Sequence, residues 1–208
     1  MLALVQPAGA KIIYTTAHRT IPSGGHYRLD LNHDGVPDFV LANMFRSLNS
    51  SFSGTSSALA HPFNHSPNRI YGRGSFASCL HKGVRVGPGG HFSPVDRVMA
   101  RMHWFDGSYS VRGDWANGGK GAESRFLGFR FNINSETHYG WARVNLVISD
   151  SYPGLTATLT GYAYETVPGK AIVTGETEGP DVITLERGSL GVLAAGSAGR
   201  LGKPTTHY

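Results

Sequence analysis

Apolar and polar residues alternate with a period of two along most of this chain, and the 3.6-residue period of an amphipathic helix is almost absent. Lys11 to Ile21 is rich in β-branched residues and breaks at Pro22-Ser23-Gly24-Gly25. Tyr27 to Leu31 alternates into an Asp-rich stretch, and Phe39-Val40-Leu41 follows as the next strand. Residues 47–75 carry so much Ser, Asn and Gly that they read as short strands joined by loops. Gly83 to Pro94 is dense in turn signals, with Gly87-Pro88-Gly89-Gly90 the clearest break. Asp106 to Ser124 reads as a long exposed loop.

The strongest alternation comes next. Leu127, Phe129, Phe131 and Ile133 share one face of a strand, Asn134-Ser135-Glu136-Thr137 makes a hairpin turn, and His138 to Ser149 runs back. On the return strand Ala142, Val144, Leu146 and Ile148 face one way, and Tyr139, Trp141, Arg143 and Asn145 the other. Thr156 to Thr166 repeats the design, with Ala157, Leu159, Gly161 and Ala163 opposed to Thr158, Thr160, Tyr162 and Tyr164. Such strands predict an all-β fold: an antiparallel β-sandwich of jelly-roll type with long Gly/Ser-rich loops and an irregular C-terminal tail. The expected domain covers residues 11–175, and residues 176–208 form a tail outside its core.

Composition narrows the class. Of 208 residues only 16% are charged and 28 are glycine, which argues against a coiled coil, a helical bundle or an acidic disordered chain. A chain of this length can bury about 70% of its unfolded surface and needs no staple. The net charge of +5 would suit an anionic partner, but Lys and Arg are scattered without a run of four, so no nucleic-acid partner is expected. The single cysteine, Cys79, excludes an intramolecular disulfide and reads as an inert, buried thiol.

The first ten residues, Met1 to Ala10, are apolar and end in a small-x-small tripeptide before Lys11. They read as the remnant of a secretory signal peptide, which predicts export; an apolar first strand is the competing reading. No window approaches the ~18 apolar residues of a membrane span.

One motif carries a mechanism. Asp30-Leu31-Asn32-His33-Asp34-Gly35-Val36-Pro37-Asp38 places oxygen-bearing residues at alternate positions, as a tight loop around a hard cation requires. Asp30, Asn32 and Asp34 would supply side-chain oxygens, Val36 its carbonyl, and Asp38 a direct or water-mediated ligand. Gly35 stands where the loop must turn sharply. Leu41 occupies the place of the bidentate Glu of an EF-hand, so the match is to the shorter, structural Ca2+ loops of extracellular proteins. An Asx-rich turn without an ion is the alternative.

Other chemistry is sparse. His61 and His65 are separated by Pro62, and His91, His103 and His138 are isolated, so no transition metal is assigned. There is no G-x-S-x-G or H-E-x-x-H motif. Gly113 to Lys120 resembles a phosphate loop only loosely, since its glycine spacing differs and no Ser or Thr follows Lys120. Tyr139, Trp141 and Arg143 beside Tyr162 and Tyr164 could form a sugar-binding strip. The competing reading makes these rings the second half of the sandwich core.

Asp30 to Phe39, Phe126-Leu127-Gly128-Phe129-Arg130-Phe131, Thr137-His138-Tyr139-Gly140-Trp141-Ala142-Arg143-Val144 and the block Thr156 to Thr166 through Gly175 resemble an uncharacterised group of exported bacterial proteins. Their layout is similar to that of PEP-CTERM-type exported proteins: signal peptide, β domain with an Asp-rich loop, sorting tail. The tail here lacks a Pro-Glu-Pro signal and a terminal Arg cluster, and Gly188 to Leu201 reads as a degenerate sorting segment. The resemblance implies export to the periplasm, cell surface or exterior, and no activity. Two functions remain: a non-enzymatic, calcium-stabilised structural or adhesive module that binds extracellular polysaccharide or matrix, and a glycoside hydrolase or lyase whose acid and base the sequence does not reveal.

Overall fold

The alternating segments become strands, as a computed structural model that describes residues 9, 11–48, 53–151 and 153–186 shows. They are β1 Ile12–Ile21, β2 His26–Leu29, β3 Phe39–Ser47, β4 Ser53–Pro62, β5 Arg69–Arg73, β6 Phe76–Ala77, β7 Arg85–Val86 and β8 Phe92–Ser93. There follow β9 Arg97–Phe105, β10 Ser108–Arg112, β11 Ala122–Ile133, β12 Glu136–Ile148, β13 Leu155–Glu165, β14 Ile172–Val173 and β15 Val182–Leu185. Apart from Gly9, the expected signal remnant lies outside the described residues, as does the segment Gly188 to Leu201.

The fold is all-β, but its architecture is a single curled sheet rather than a clear jelly-roll sandwich. The order β15-β1-β13-β12-β11-β5-β6-β9-β4-β3-β2 runs through it, with β10 beside β9 and β8 beside β5. It is mixed, since β15 runs parallel to β1 and β6 to β9. Register shifts interrupt four long pairings, at Thr16/Arg19, Ala58/Leu59, Ala122/Arg125 and Arg143/Val144. Bulges of this kind bend a strand and increase its twist, and a sheet this wide curls.

The curl brings two halves of the sheet face to face. Leu29, Phe39, Leu41, Ala60, Met99 and Met102 come from one half, and Leu127, Phe129, Phe131, Val144 and Leu159 from the other. Phe39 stacks on Phe129 with ring centroids 4.2 Å apart. A second, smaller core lies on the opposite side of the sheet. There Tyr14, Phe126, Tyr139 and Trp141 are covered by Leu80 and by Val86 and Ile172 of the separate β7–β14 ribbon.

Asn43, fully buried on β3, ties the halves together. Its Nδ2 donates to the Ile21 carbonyl at 3.2 Å and the Leu155 carbonyl at 2.8 Å. Truncating it leaves two buried carbonyls short of a donor, so Asn43→Ala is expected to cost about 2 kcal/mol. Urea unfolding would read this as a lower midpoint with an unchanged slope.

Three segments differ from their expected form. Residues 53–62, read as fragmentary, make a continuous ten-residue strand between β3 and β9, because pairing with a neighbour on each side overrides the weak strand preference of its Ser, Gly and Ala residues. The expected exposed loop 106–124 contains β10 and a 3-10 turn, Asp114–Gly119, whose Trp115 is completely buried. The described part of the expected tail adds β15 to the sheet edge, where Ile12 N–H donates to the Asp181 carbonyl at 2.8 Å.

Candidate functional site

The Asp-rich loop joins β2 to β3. Leu31 sinks into the main core and holds the loop down, while Gly35 at φ 88° and His33 at φ 62° make its sharp turns. Each carboxylate is built into the loop. Asp30 Oδ1 accepts from His33 N–H at 2.7 Å, and its Oδ2 from Gly35 N–H at 2.9 Å. Asp34 Oδ1 accepts from Val36 N–H and its Oδ2 from Asn32 Nδ2, both at 2.8 Å. Asp38 Oδ2 accepts from Leu31 N–H at 2.8 Å, closing the loop across its base.

Two contacts from elsewhere position it. Asn68, between β4 and β5, donates to Asp38 Oδ1 at 3.3 Å. His33 Nε2 lies 2.8 Å from Thr15 Oγ1 on β1, and its ring lies 5.7 Å from that of Tyr162. Neither Asn68 nor Thr15 was legible as part of this site, because both lie far from the loop in sequence and only the curl brings them together.

The electrostatics follow from burial. Asp38 is 7% exposed, and its carboxyl is pushed up to about 7. Desolvation is the main cause and the charges of Asp30 and Asp34 add to it, against hydrogen bonds from Leu31 and Asn68. Burial lowers the His33 imidazole, with Asp30 opposing. Asn32 Oδ1 is shielded from solvent and accepts no hydrogen bond. Val36 is 61% exposed. Among the described residues no three His, Cys, Asp or Glu side chains form a metal-holding group by themselves. A cation here would also need the Asn32 amide oxygen and a backbone carbonyl, as the spacing anticipated.

The expected aromatic strip is corrected by the register. Trp141 pairs with Ala163 and Arg143 with Gly161, whereas Tyr164 pairs with Gly140 and Tyr162 with Ala142. Directly paired residues share a face. Tyr139, Trp141 and Arg143 therefore point to the smaller core, and Tyr162 and Tyr164 to the main one. Tyr139 is 6% exposed, Trp141 0% and Tyr162 6%, with Tyr164 half-buried. The Arg143 guanidinium is engaged by Thr160 Oγ1 at 2.9 Å and the Tyr14 hydroxyl at 3.1 Å. No stacking surface for a sugar remains at these five residues.

Two of the isolated histidines have partners within the fold. His138 is buried with Nδ1 2.9 Å from the Glu165 carbonyl oxygen, and His91 Nε2 lies 3.0 Å from an Arg73 nitrogen. The Cys79 thiol is half-buried, and desolvation pushes it up to about 11, so it is a poor nucleophile at neutral pH. Among the described residues no helix is long and apolar enough to cross a membrane. Comparison with protein-family models, with curated proteins and with solved structures yields no match.

Proposed function

We propose that this protein is a non-enzymatic, calcium-stabilised module of exported character, serving a structural or adhesive role against extracellular polysaccharide or matrix. The observation that carries the calcium reading is the buried, unpartnered Asn32 Oδ1 in a loop that also gathers Asp30, Asp34 and Asp38. A shielded amide oxygen without a donor is costly, and hard cations are bound by such oxygens together with carboxylates and a carbonyl. Calcium would replace the Asn32 Nδ2–Asp34 contact and draw in the Val36 carbonyl. Its charge would offset the mutual repulsion of three carboxylates. The ion's role is to brace the β2–β3 connection against β1 and β13.

Export rests on the signal-like first residues and on the resemblance to exported bacterial proteins. The test is thermal unfolding in EDTA and in millimolar calcium, for the native chain and for Asp34→Ala. Calcium at 100 times its Kd adds about 2.7 kcal/mol, a shift of several degrees. The native chain is expected to show that rise and the variant to lose it. An identical midpoint with and without calcium in the native chain would leave the loop a hydrogen-bonded turn.

A further inference from the structure

The loosely phosphate-loop-like segment around Gly113 to Lys120 acquires a role that its spacing did not reveal. Together with the stretch after β6 and the start of β11, it encloses a cleft of about 920 Å³. Asp114, Asn117, Lys120, Glu123 and Arg125 line it, along with Cys79 and His81. The buried Trp115 anchors one wall, and the backbone is locked in left-handed geometry at Asn117, Gly118, Gly119, Gly121 and Ser124. A Cβ on Gly121 would run into the Leu146 carbonyl oxygen, so this wall lies directly on β12. Ser124 N–H donates to Asn145 Oδ1 at 2.7 Å, pinning the other wall to the same strand.

The cleft carries charges of both signs. Lys120 and Arg125 face the same space as Asp114 and Glu123, yet none of the four makes an ion pair or a side-chain hydrogen bond. Asp114, Lys120 and Glu123 are exposed and Arg125 is half-buried, so charges of both signs are open to a ligand that uses both. Among the described residues no Phe, Tyr or Trp lines the cleft, so a nucleobase would find only the small His81 ring to stack on, and a lipid or an apolar peptide would meet little apolar surface. A polyphosphate chain would meet the two carboxylates. The lining instead suits a molecule with many hydroxyls and widely spaced negative charges. Carboxylates and the Asn117 amide accept from hydroxyls, while Arg125 and Lys120 take an anionic group, Arg125 through its planar fork.

We infer that this cleft binds an acidic saccharide, a chain bearing uronate carboxylates, with Arg125 and Lys120 engaging the carboxylate and Asp114, Asn117 and Glu123 the ring hydroxyls. The inference rests on the polysaccharide part of the function proposed above and is independent of calcium. The cleft lies at the start of β11 and the Asp-rich loop near its far end, where Asn132 N–H bonds Asn68, about 25–30 Å away along the strand. The net charge of +5 favours approach of an acidic chain.

The experiment is calorimetric titration of the full chain, in EDTA, with hexamers of galacturonate, mannuronate and glucuronate, and with the methyl ester of any that binds. At least one hexamer is expected to bind below 1 mM, at least tenfold more tightly than its ester. Arg125→Gln and Lys120→Gln should each weaken binding about tenfold while leaving the unfolding midpoint in place. Asp114→Asn should weaken it less. Cys79, the chain's only cysteine, reports position: saturating hexamer should slow its alkylation at pH 9. Absence of binding by all three hexamers, equal affinity for the ester, or binding untouched by both cation variants would overturn the inference. Because calcium is absent, such a failure says nothing against the loop, whose own test is the melt.

Discussion

Asp38→Asn is expected to raise the unfolding midpoint in EDTA at pH 8 and to erase the further rise that calcium gives the native chain. The two effects have opposite signs because one carboxylate carries both. With its pKa at about 7 in the fold and near 4 in the unfolded chain, Asp38 is protonated in the fold over a window where the unfolded chain has already released the proton. Its contribution to stability is thus fully present below pH ~4 and is lost as pH rises through about 7. Displacement of this size is worth about 4 kcal/mol, or roughly 10 °C in a chain of this length. Asp30, Asp34 and His33 share the loop, and Asn68 and Tyr164 face it from outside.

Asparagine keeps an oxygen for Leu31 N–H and removes the charge, so in EDTA the variant should gain most at pH 8 and nothing at pH 4. Calcium needs the ionised carboxylate. For the native chain, the gap between calcium and EDTA midpoints should be small at pH 5, where protons compete, and widest above pH 7. Melts from pH 4 to 8.5 with and without calcium read both effects. A variant that is less stable than the native chain at pH 8 in EDTA would mean that Asp38 is held charged by something other than a bound ion.

Trp141→Ala is expected to cost about 3–5 kcal/mol, the usual range for emptying a buried indole site, and to lower the midpoint by roughly 10 °C. Trp141 has no exposed surface. It meets Phe126 edge-on at 5.1 Å between centroids and Tyr14 at 5.9 Å, and these rings form the centre of the smaller core. Its Nε1 has no partner, so Trp141→Phe forfeits no hydrogen bond and should cost far less. Denaturant unfolding measures both, and saccharide titration separates them from function. A destabilised but folded W141F or W141A that binds the acidic hexamer normally is the expected outcome. Loss of binding in W141F with an unchanged midpoint would return the ring to the role of a ligand platform.

On β12 the alternation in the sequence matches the two cores, with Ala142, Val144 and Leu146 in the main one and Tyr139 and Trp141 in the smaller, and the hairpin turns at Asn134-Ser135, both with positive φ as a two-residue turn requires. On β13 the same alternation fails at Thr160. Leu159 pairs with Val144 and Gly161 with Arg143, leaving Thr160 as the extra residue of a bulge. Beyond it every side chain changes face, so Ala157 and Leu159 lie in the main core whereas Ala163 lies in the smaller one. No residue type announced that slip.

What the chain determined by itself was local. Period-two alternation selected strands over helices, turn residues marked the hairpins, and the spacing of Asp30, Asn32, Asp34 and Asp38 delivered a loop whose side chains fold inward on its own backbone. Those features depend on neighbours a few residues apart, which a sequence displays directly. The curl of the sheet, the second core beneath β7 and β14, the Asn68 and Thr15 contacts and the charged cleft depend on residues tens of positions apart. Bulges and long-range register decide which of those meet, and they are set by packing free energy summed over the whole molecule rather than by any short run of residues.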